Sequence, residues 1–394
     1  MNKFFTRTLI ASAISSITLA GAAFADTNLN PKKDEQGFYG LVALQLANRD
    51  YEVPTGAEGN PNSGVQANNE TRLGWRGTAH FDSWENTTFI WQVESGYVDE
   101  SFGGEDGGNG YLGRRDTYIG FQNDAYGLIR VGRVLTPIYE LIDWPATNPG
   151  MGNVWDWGGA IGGNNFNDRQ SDTIRWDTNE LWEGFSLDLA VGAGADRAGA
   201  TDSQRANKNY WHGGAAHQKF TVGDNGWVQF DLAYEMNYNT QDKSGNNPDT
   251  GSKDPAFYWD NQTYLIGTQG GFDNGIGYFA YYRVADAQNT LGDDEREKSY
   301  SIGLMYNFGE DNKWQAKVAH AENKGLEVNG KRIADTEDDV TSMQLMYSVD
   351  SNAVVYARYA MNNLGEAHTT RPDYVGRWKS DSFDEASIGI EYWF

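Results

Sequence analysis

The sequence contains no cysteine, which excludes a disulfide framework, a thiolate metal site and a cysteine nucleophile. Proline is scarce, with 9 residues against 47 glycines, a balance that favours strands and turns over helices. Basic residues are also few. The 31 Lys and Arg face 55 Asp and Glu, for a formal net charge of -24, so non-specific nucleic-acid binding is excluded. Beyond Ala25 no stretch approaches the roughly 20 apolar residues of a membrane-spanning helix. With a mean hydropathy of -0.66, a soluble secreted protein is the simplest inference, but a β-barrel escapes it because half of each strand faces a watery lumen.

What is present in quantity is aromatic: 14 Trp, 22 Tyr and 18 Phe. The first residues read as a processing signal. Lys3 and Arg7 precede an apolar stretch over residues 9–24, and Ala23-Phe24-Ala25 is a small-x-small cleavage site. Residues 1–25 are thus expected to be removed on export, leaving residues 26–394 as one domain with 29 basic residues, 55 acidic ones and a charge of -26.

Apolar and polar residues alternate with period two in segment after segment. In "GFSLDLAVG", Phe185, Leu187, Leu189 and Val191 share one face. In "SYSIGLMYNF", Tyr300, Ile302, Leu304, Tyr306 and Phe308 oppose Ser301, Gly303, Met305 and Asn307. About sixteen such segments occur, an even number as a closed antiparallel barrel requires. The connections alternate too. Short turns at 82–86, 123–127, 223–226, 272–275, 309–312 and 349–352 interleave with long polar stretches at 48–69, 98–111, 134–167, 239–257, 286–297, 325–338 and 363–382. That pattern predicts an all-β transmembrane antiparallel barrel, with short periplasmic turns on one rim and long extracellular loops on the other. A β-sandwich has no reason to alternate so regularly. The last segment, "SIGIEYWF", places Ile388, Ile390, Tyr392 and Phe394 on one face. Pairing it with residues 37–47 closes the sheet, leaves no open edge in lipid, and sets Tyr392 and Phe394 in an interfacial aromatic girdle.

Four stretches, "TRLGWRG", "RRDTYIGFQNDAYGLIRVGR", "RQSDTIRWDT" and the terminal Phe394, together resemble the general diffusion porins, the trimeric outer-membrane porins of Gram-negative bacteria, over essentially the whole mature chain. The resemblance implies a third loop folded into the lumen, where its acidic groups face a ladder of arginines on the opposite wall. The arginines carry over onto Arg72, Arg115 and Arg169, with Arg133 just before the loop. Alternation supports this separately: Leu73 and Trp75 face lipid, so Arg72 and Arg76 face inward, and Ile174 and Trp176 turn Arg169 and Arg175 inward. The loop, residues 134–167, is the longest connection and carries Trp144, Trp155 and Trp157. Its "DWGG" matches the family's acidic-aromatic-Gly-Gly element and puts Asp156 on the loop side. The Pro and Glu of the enteric version are missing, and Glu140 and Asp143 are further candidates.

The function implied is passive diffusion of ions and small hydrophilic solutes through an outer-membrane channel, with no cofactor. The acidic charge leans towards cations while the arginines oppose it. A barrel specific for sugars, using lumen aromatics such as Trp91 or Tyr281, is the alternative. An outer-membrane hydrolase is disfavoured, since no G-x-S-x-G elbow occurs and none of His80, His212, His217, His320 and His368 stands in a hydrolase motif. A secreted lectin-like sandwich would dissolve without detergent. Expected partners are outer-membrane lipid and lipopolysaccharide, and two further copies in a homotrimer with residues 98–111 reaching over a neighbour. The clusters Asp99/Glu100/Glu105/Asp106, Asp293/Asp294/Glu295 and Glu337/Asp338/Asp339 are solvated loop charge or hold divalent cations.

Overall fold

The computed structural model describes residues 34–51, 63–96, 112–146, 154–157, 159, 161–162, 165–193, 210–240, 259–365 and 382–394. The expected leader, the loop at 98–111 with its acidic cluster, and His368 lie outside them. The strands in chain order are β1 (Glu35–Tyr51), β2 (Gly64–Asn69), β3 (Arg72–His80), β4 (Thr87–Gly96), β5 (Thr117–Asn123), β6 (Gly127–Leu135), β7 (Arg169–Asp177), β8 (Phe185–Ala193) and β9 (Tyr210–Val222). There follow β10 (Gly226–Thr240), β11 (Trp259–Gly271), β12 (Ile276–Asn289), β13 (Asp294–Phe308), β14 (Trp314–Val328), β15 (Lys331–Arg332), β16 (Asp338–Asp350), β17 (Ala353–Asn363) and β18 (Phe383–Trp393). Two short helices, α1 (Pro137–Asp143) and α2 (Val154–Trp157), lie between β6 and β7.

All pairings are antiparallel between neighbours, and the sheet closes on itself. β1 pairs with β18 from Leu41 opposite Trp393 to Tyr51 opposite Phe383. Beyond that run Gly40 and Phe394 exchange backbone hydrogen bonds of 3.0 Å in both directions. β2 and β3 both pair with β1 and form one stave, interrupted where Glu70 N donates to Ala43 O and Thr71 N donates to Asn69 Oδ1. β15 pairs only with the end of β14. The barrel therefore has sixteen staves. The number of alternating segments in the sequence anticipates this count. The turns and long stretches picked out above pass over the connections at 178–184 and 194–209.

The exterior is apolar because alternation aims one face of every stave outward. Leu44, Leu46, Ile174, Leu232, Ile266, Ile302, Leu304 and Ile388 are exposed there, as are Tyr392 and Phe394 at the rim. Phe394 and Phe38 bring their ring centroids to 5.8 Å across the closure.

The interior is asymmetric. The chain leaves the wall at Leu135, enters α1 with Pro137 at its start, and Thr136 caps the helix by accepting from Tyr139 N at 3.3 Å. Ile138, Leu141 and Ile142 bury one helix face against Ala215, Ala233 and Leu265 of the inner wall, in a cluster that takes in Trp155, Phe166, Phe279 and Ala319. Small residues on the wall make the room. Each buried aliphatic side chain contributes about 1.5–3 kcal/mol. The peptide groups of the loop are satisfied by inward side chains: Arg283 Nη1 donates to Trp155 O at 2.9 Å, Asn323 Nδ2 to Val154 O at 2.8 Å, and Asn261 Nδ2 to Gly162 O at 2.8 Å. Glu295 Oε2 and Glu235 Oε1 accept from Gly162 N and Asn167 N, both at 2.8 Å. The third long loop is thus folded into the lumen and fastened to β10–β14.

Leu304 lies on the outer face, 58% exposed, between Tyr300 and Tyr306 on the same strand. Leu304→Arg is expected to lower unfolding free energy in lipid vesicles by about 2–4 kcal/mol, measured by urea titration. A loss well below that range would place this face away from lipid.

Candidate functional site

Opposite the packed loop, β1 and β3–β7 present a charged wall. Arg76 stacks on Tyr39, its guanidinium carbon 4.2 Å from the ring centroid, and the Tyr39 hydroxyl donates to Glu94 Oε2 at 2.9 Å. Tyr39 reaches this position by lying across Gly74, where a Cβ would come within 2.4 Å of its ring. Glu94 Oε1 accepts from Arg115 Nε at 2.7 Å. Asp116 accepts from Arg169 Nε at 2.6 Å with one oxygen and from Leu135 N at 3.1 Å with the other. Arg72 is half-buried and makes no ion pair among the described residues.

The sequence-derived site residues thus separate into groups. Arg72, Arg115 and Arg169 share one wall. Arg133 has a different place: its Nε donates to Arg114 O at 2.6 Å, and Nη1 reaches Arg169 O and Ser171 Oγ at 3.4 Å. It ties together the backbone segments that carry Arg115 and Arg169. On the loop, Asp143 is half-buried and lies in the field of Arg72, Arg169 and Arg115. Asp156 accepts from the Tyr139 hydroxyl at 3.1 Å. Glu140 turns to Arg175, receiving Nη1 at 2.8 Å and Nη2 at 2.7 Å.

Other side chains at the site were not singled out from the sequence. Glu94 and Asp116 place carboxylates inside the arginine wall, and alternation from Val93, paired with outward Trp75, was the available signal for Glu94. Trp91 departs from expectation. It pairs with Gly77 and with exposed Ile119 on the outer face, so it is a lipid-side residue. Tyr281 does face inward, donating to Asp231 Oδ2 at 2.5 Å.

The described acidic clusters are occupied by protein donors. Asp293 accepts from Asn329 at 2.9 Å and Asn289 at 3.1 Å, Asp338 accepts from Gly365 N at 2.9 Å, and Asp339 accepts from Asn363 at 2.9 Å. Among the described residues no group of three or more His, Asp or Glu is arranged to hold a metal ion.

A closed sixteen-stave barrel whose third loop crosses the lumen towards an arginine wall matches known proteins. The family described as Gram-negative porin covers residues 10–367. The chain belongs to that family. It is 31% identical over 402 residues to a chitoporin of Vibrio furnissii, with the whole of both chains covered. In fold it is similar to the anion-selective porin from Comamonas acidovorans, with a TM-score of 0.62, 14% identity, 92% of this chain and 100% of that chain covered. It is likewise similar to the outer-membrane protein OmpT of Vibrio cholerae, with a TM-score of 0.64, 14% identity and coverage of 93% and 99%. These likenesses to solved structures show the fold alone. As a Gram-negative porin this protein resides in the outer membrane and is a channel, not an enzyme.

Burial among loop side chains raises the Asp156 carboxyl from its ordinary value to about 7, assisted by nearby Asp143 and opposed by the Tyr139 hydrogen bond. A carboxyl shifted upward is charged above that pH and neutral below it. Between pH 8 and pH 5 the porin therefore loses a negative charge on α2 of the third loop, and its reversal potential in a salt gradient is expected to move towards anions. Asp156→Asn should abolish the part of the movement centred near pH 7. A wild-type selectivity constant across that range would contradict the assignment.

Proposed function

We propose that this porin is a passive channel for ions and small hydrophilic solutes, working as a homotrimer after removal of residues 1–25. Its lumen narrows between Asp143 and Asp156 on the loop and Arg72, Arg115 and Arg169 on the wall. The observation that carries the reading is Asp143, half-buried at the end of α1 and in the electrostatic field of Arg72, Arg169 and Arg115. Opposed charges across a narrow aqueous gap orient water and zwitterionic solutes, and an apolar solute must displace ordered water to pass. No group positioned for covalent chemistry or energy coupling is needed.

The balance of charge supports a weak preference for cations. Arg115 and Arg169 each have a carboxylate partner on the wall itself, so of the three ladder arginines Arg72 alone lacks one among the described residues. Glu70 adds a further negative charge acting on Asp143 and Asp156. A trimer form of the Vibrio cholerae OmpT protein supports the oligomeric reading, and the apolar exterior fits outer-membrane lipid and lipopolysaccharide.

A second reading, a channel selective for oligosaccharides, is favoured by the full-length similarity to a chitoporin. Swelling of proteoliposomes in uncharged sugars separates the two. Rates that fall smoothly with solute size support a general pore, and rapid uptake of N-acetylglucosamine oligomers that also block ion current supports the selective one. In single-channel recordings Asp143→Asn is expected to reduce cation over anion permeability about twofold or more and Arg72→Ser to raise it. If neither variant alters conductance or selectivity, the constriction lies elsewhere.

A further inference from the structure

The geometry points to Arg175 as the positioning residue for the constriction helix α1, held on the wall by a carboxylate relay in which His217 is an imidazolium. This rests on the channel reading above, with the loop as its selective side.

Arg175 projects inward from β7 and is 1% exposed. Its guanidinium has five N–H groups, and all five find an acceptor. Nε donates to Asp177 Oδ1 at 2.6 Å, Nη1 to Leu135 O and Glu140 Oε1 at 2.8 Å each, and Nη2 to Glu140 Oε2 at 2.7 Å and Asp188 Oδ2 at 3.3 Å. Leu135 is the last residue of β6, and Glu140 lies in the first turn of α1. One planar group thus spans the point where the chain leaves the wall and the helix that bears Tyr139 and Asp143. The bidentate contact fixes the helix in rotation as well as in distance. A lysine has three donors on a single nitrogen and cannot reproduce the fork.

The acceptors of Arg175 are themselves held. Asp177 also accepts from Arg130 on β6. Asp188 on β8 lies 3.3 Å from His217 Nε2, and His217 Nδ1 lies 2.6 Å from Asp231 Oδ1 on β10. Asp231 accepts further from Gln229 at 2.7 Å and from Tyr281 of β12. A neutral imidazole has one N–H and would turn its lone pair on one of the two carboxylates. With Asp188 and Asp231 both ionised, and so acceptors only, both contacts are hydrogen bonds only when both ring nitrogens carry protons. The titratable and charged groups around the ring are Asp188 and Asp231 directly, Arg175 of β7 and Tyr281 of β12 one contact further, and Asp177 of β7 and Glu140 of α1 beyond Arg175.

Planar-bilayer recordings of wild type, Arg175→Lys, Arg175→Met and His217→Gln test the proposal, with heat-modifiable mobility confirming a folded barrel. Both Arg175 variants are expected to show at least a threefold rise in open-channel current noise and a selectivity shifted in the direction of Asp143→Asn. The lysine variant should be no quieter than the methionine one, because the fork and not the charge is what holds α1. If neither Arg175 variant folds, His217→Gln decides by the same noise measurement, joined by solid-state ¹⁵N spectra of imidazole-labelled wild type at pH 7 showing both His217 ring nitrogens protonated. Wild-type noise and selectivity in Arg175→Lys, or one unprotonated His217 nitrogen, would overturn it. Absence of current in wild type would instead overturn the channel reading.

Discussion

A hydrocarbon interior offers no partner to a backbone N–H or C=O, so a sheet that crosses it has no stable open edge. The seam between β1 and β18 answers that constraint, running from Tyr51 and Phe383 down to the reciprocal bonds of Gly40 and Phe394. Once the ring is closed, the period-two alternation of every stave has only one meaning: oily side out, wet side in. The interior then holds the polar face of each strand, and the remaining architecture is a matter of how that interior is divided.

The division is uneven. From β9 round to β17 the inner wall carries alanines and aromatic residues that bed the third loop, with Arg283, Asn323, Asn261, Glu295 and Glu235 bonding its peptide groups. From β1 to β7 the wall is guanidinium and carboxylate. Water and solute are left with the gap between a loop that is fixed and a wall that is charged. The two sides are joined at Asp116 and at Arg175, each of which contacts the chain where it leaves β6. The position of the third loop in the lumen is consequently set by its contacts with regular strands and not by its own conformational preferences, in keeping with the general rule that sites are held best on regular elements.

Much of this was readable from residue order alone. Alternation gives each strand and its inward set, turn chemistry gives the rims, and motif resemblance places the arginines at Arg72, Arg115 and Arg169. What eluded the sequence is what depends on partners distant along the chain. Glu140 has the same chemistry as Asp143, but its hydrogen bonds run to Arg175, 35 residues away, while Asp143 lies in the field of Arg72. Arg133 matches a family position, yet a register shift between Gly132 and Val134 takes it out of simple alternation and sets it against backbone carbonyls. Trp91 reads as a pore aromatic by type, and only its pairing with Gly77 and Ile119 reveals the outward side. Local period identifies a face; it does not identify which of several equivalent acids a given arginine will choose.

Asp116 uses one oxygen for Arg169 and the other for the amide of Leu135, where the constriction loop departs. Electrostatic tuning and scaffold geometry are therefore vested in the same carboxylate. Substitutions there and at Arg169 are coupled, and their effects will not add. Removing either partner leaves the other charge buried and unpaired, so a change at one position is best tolerated together with a change at the other.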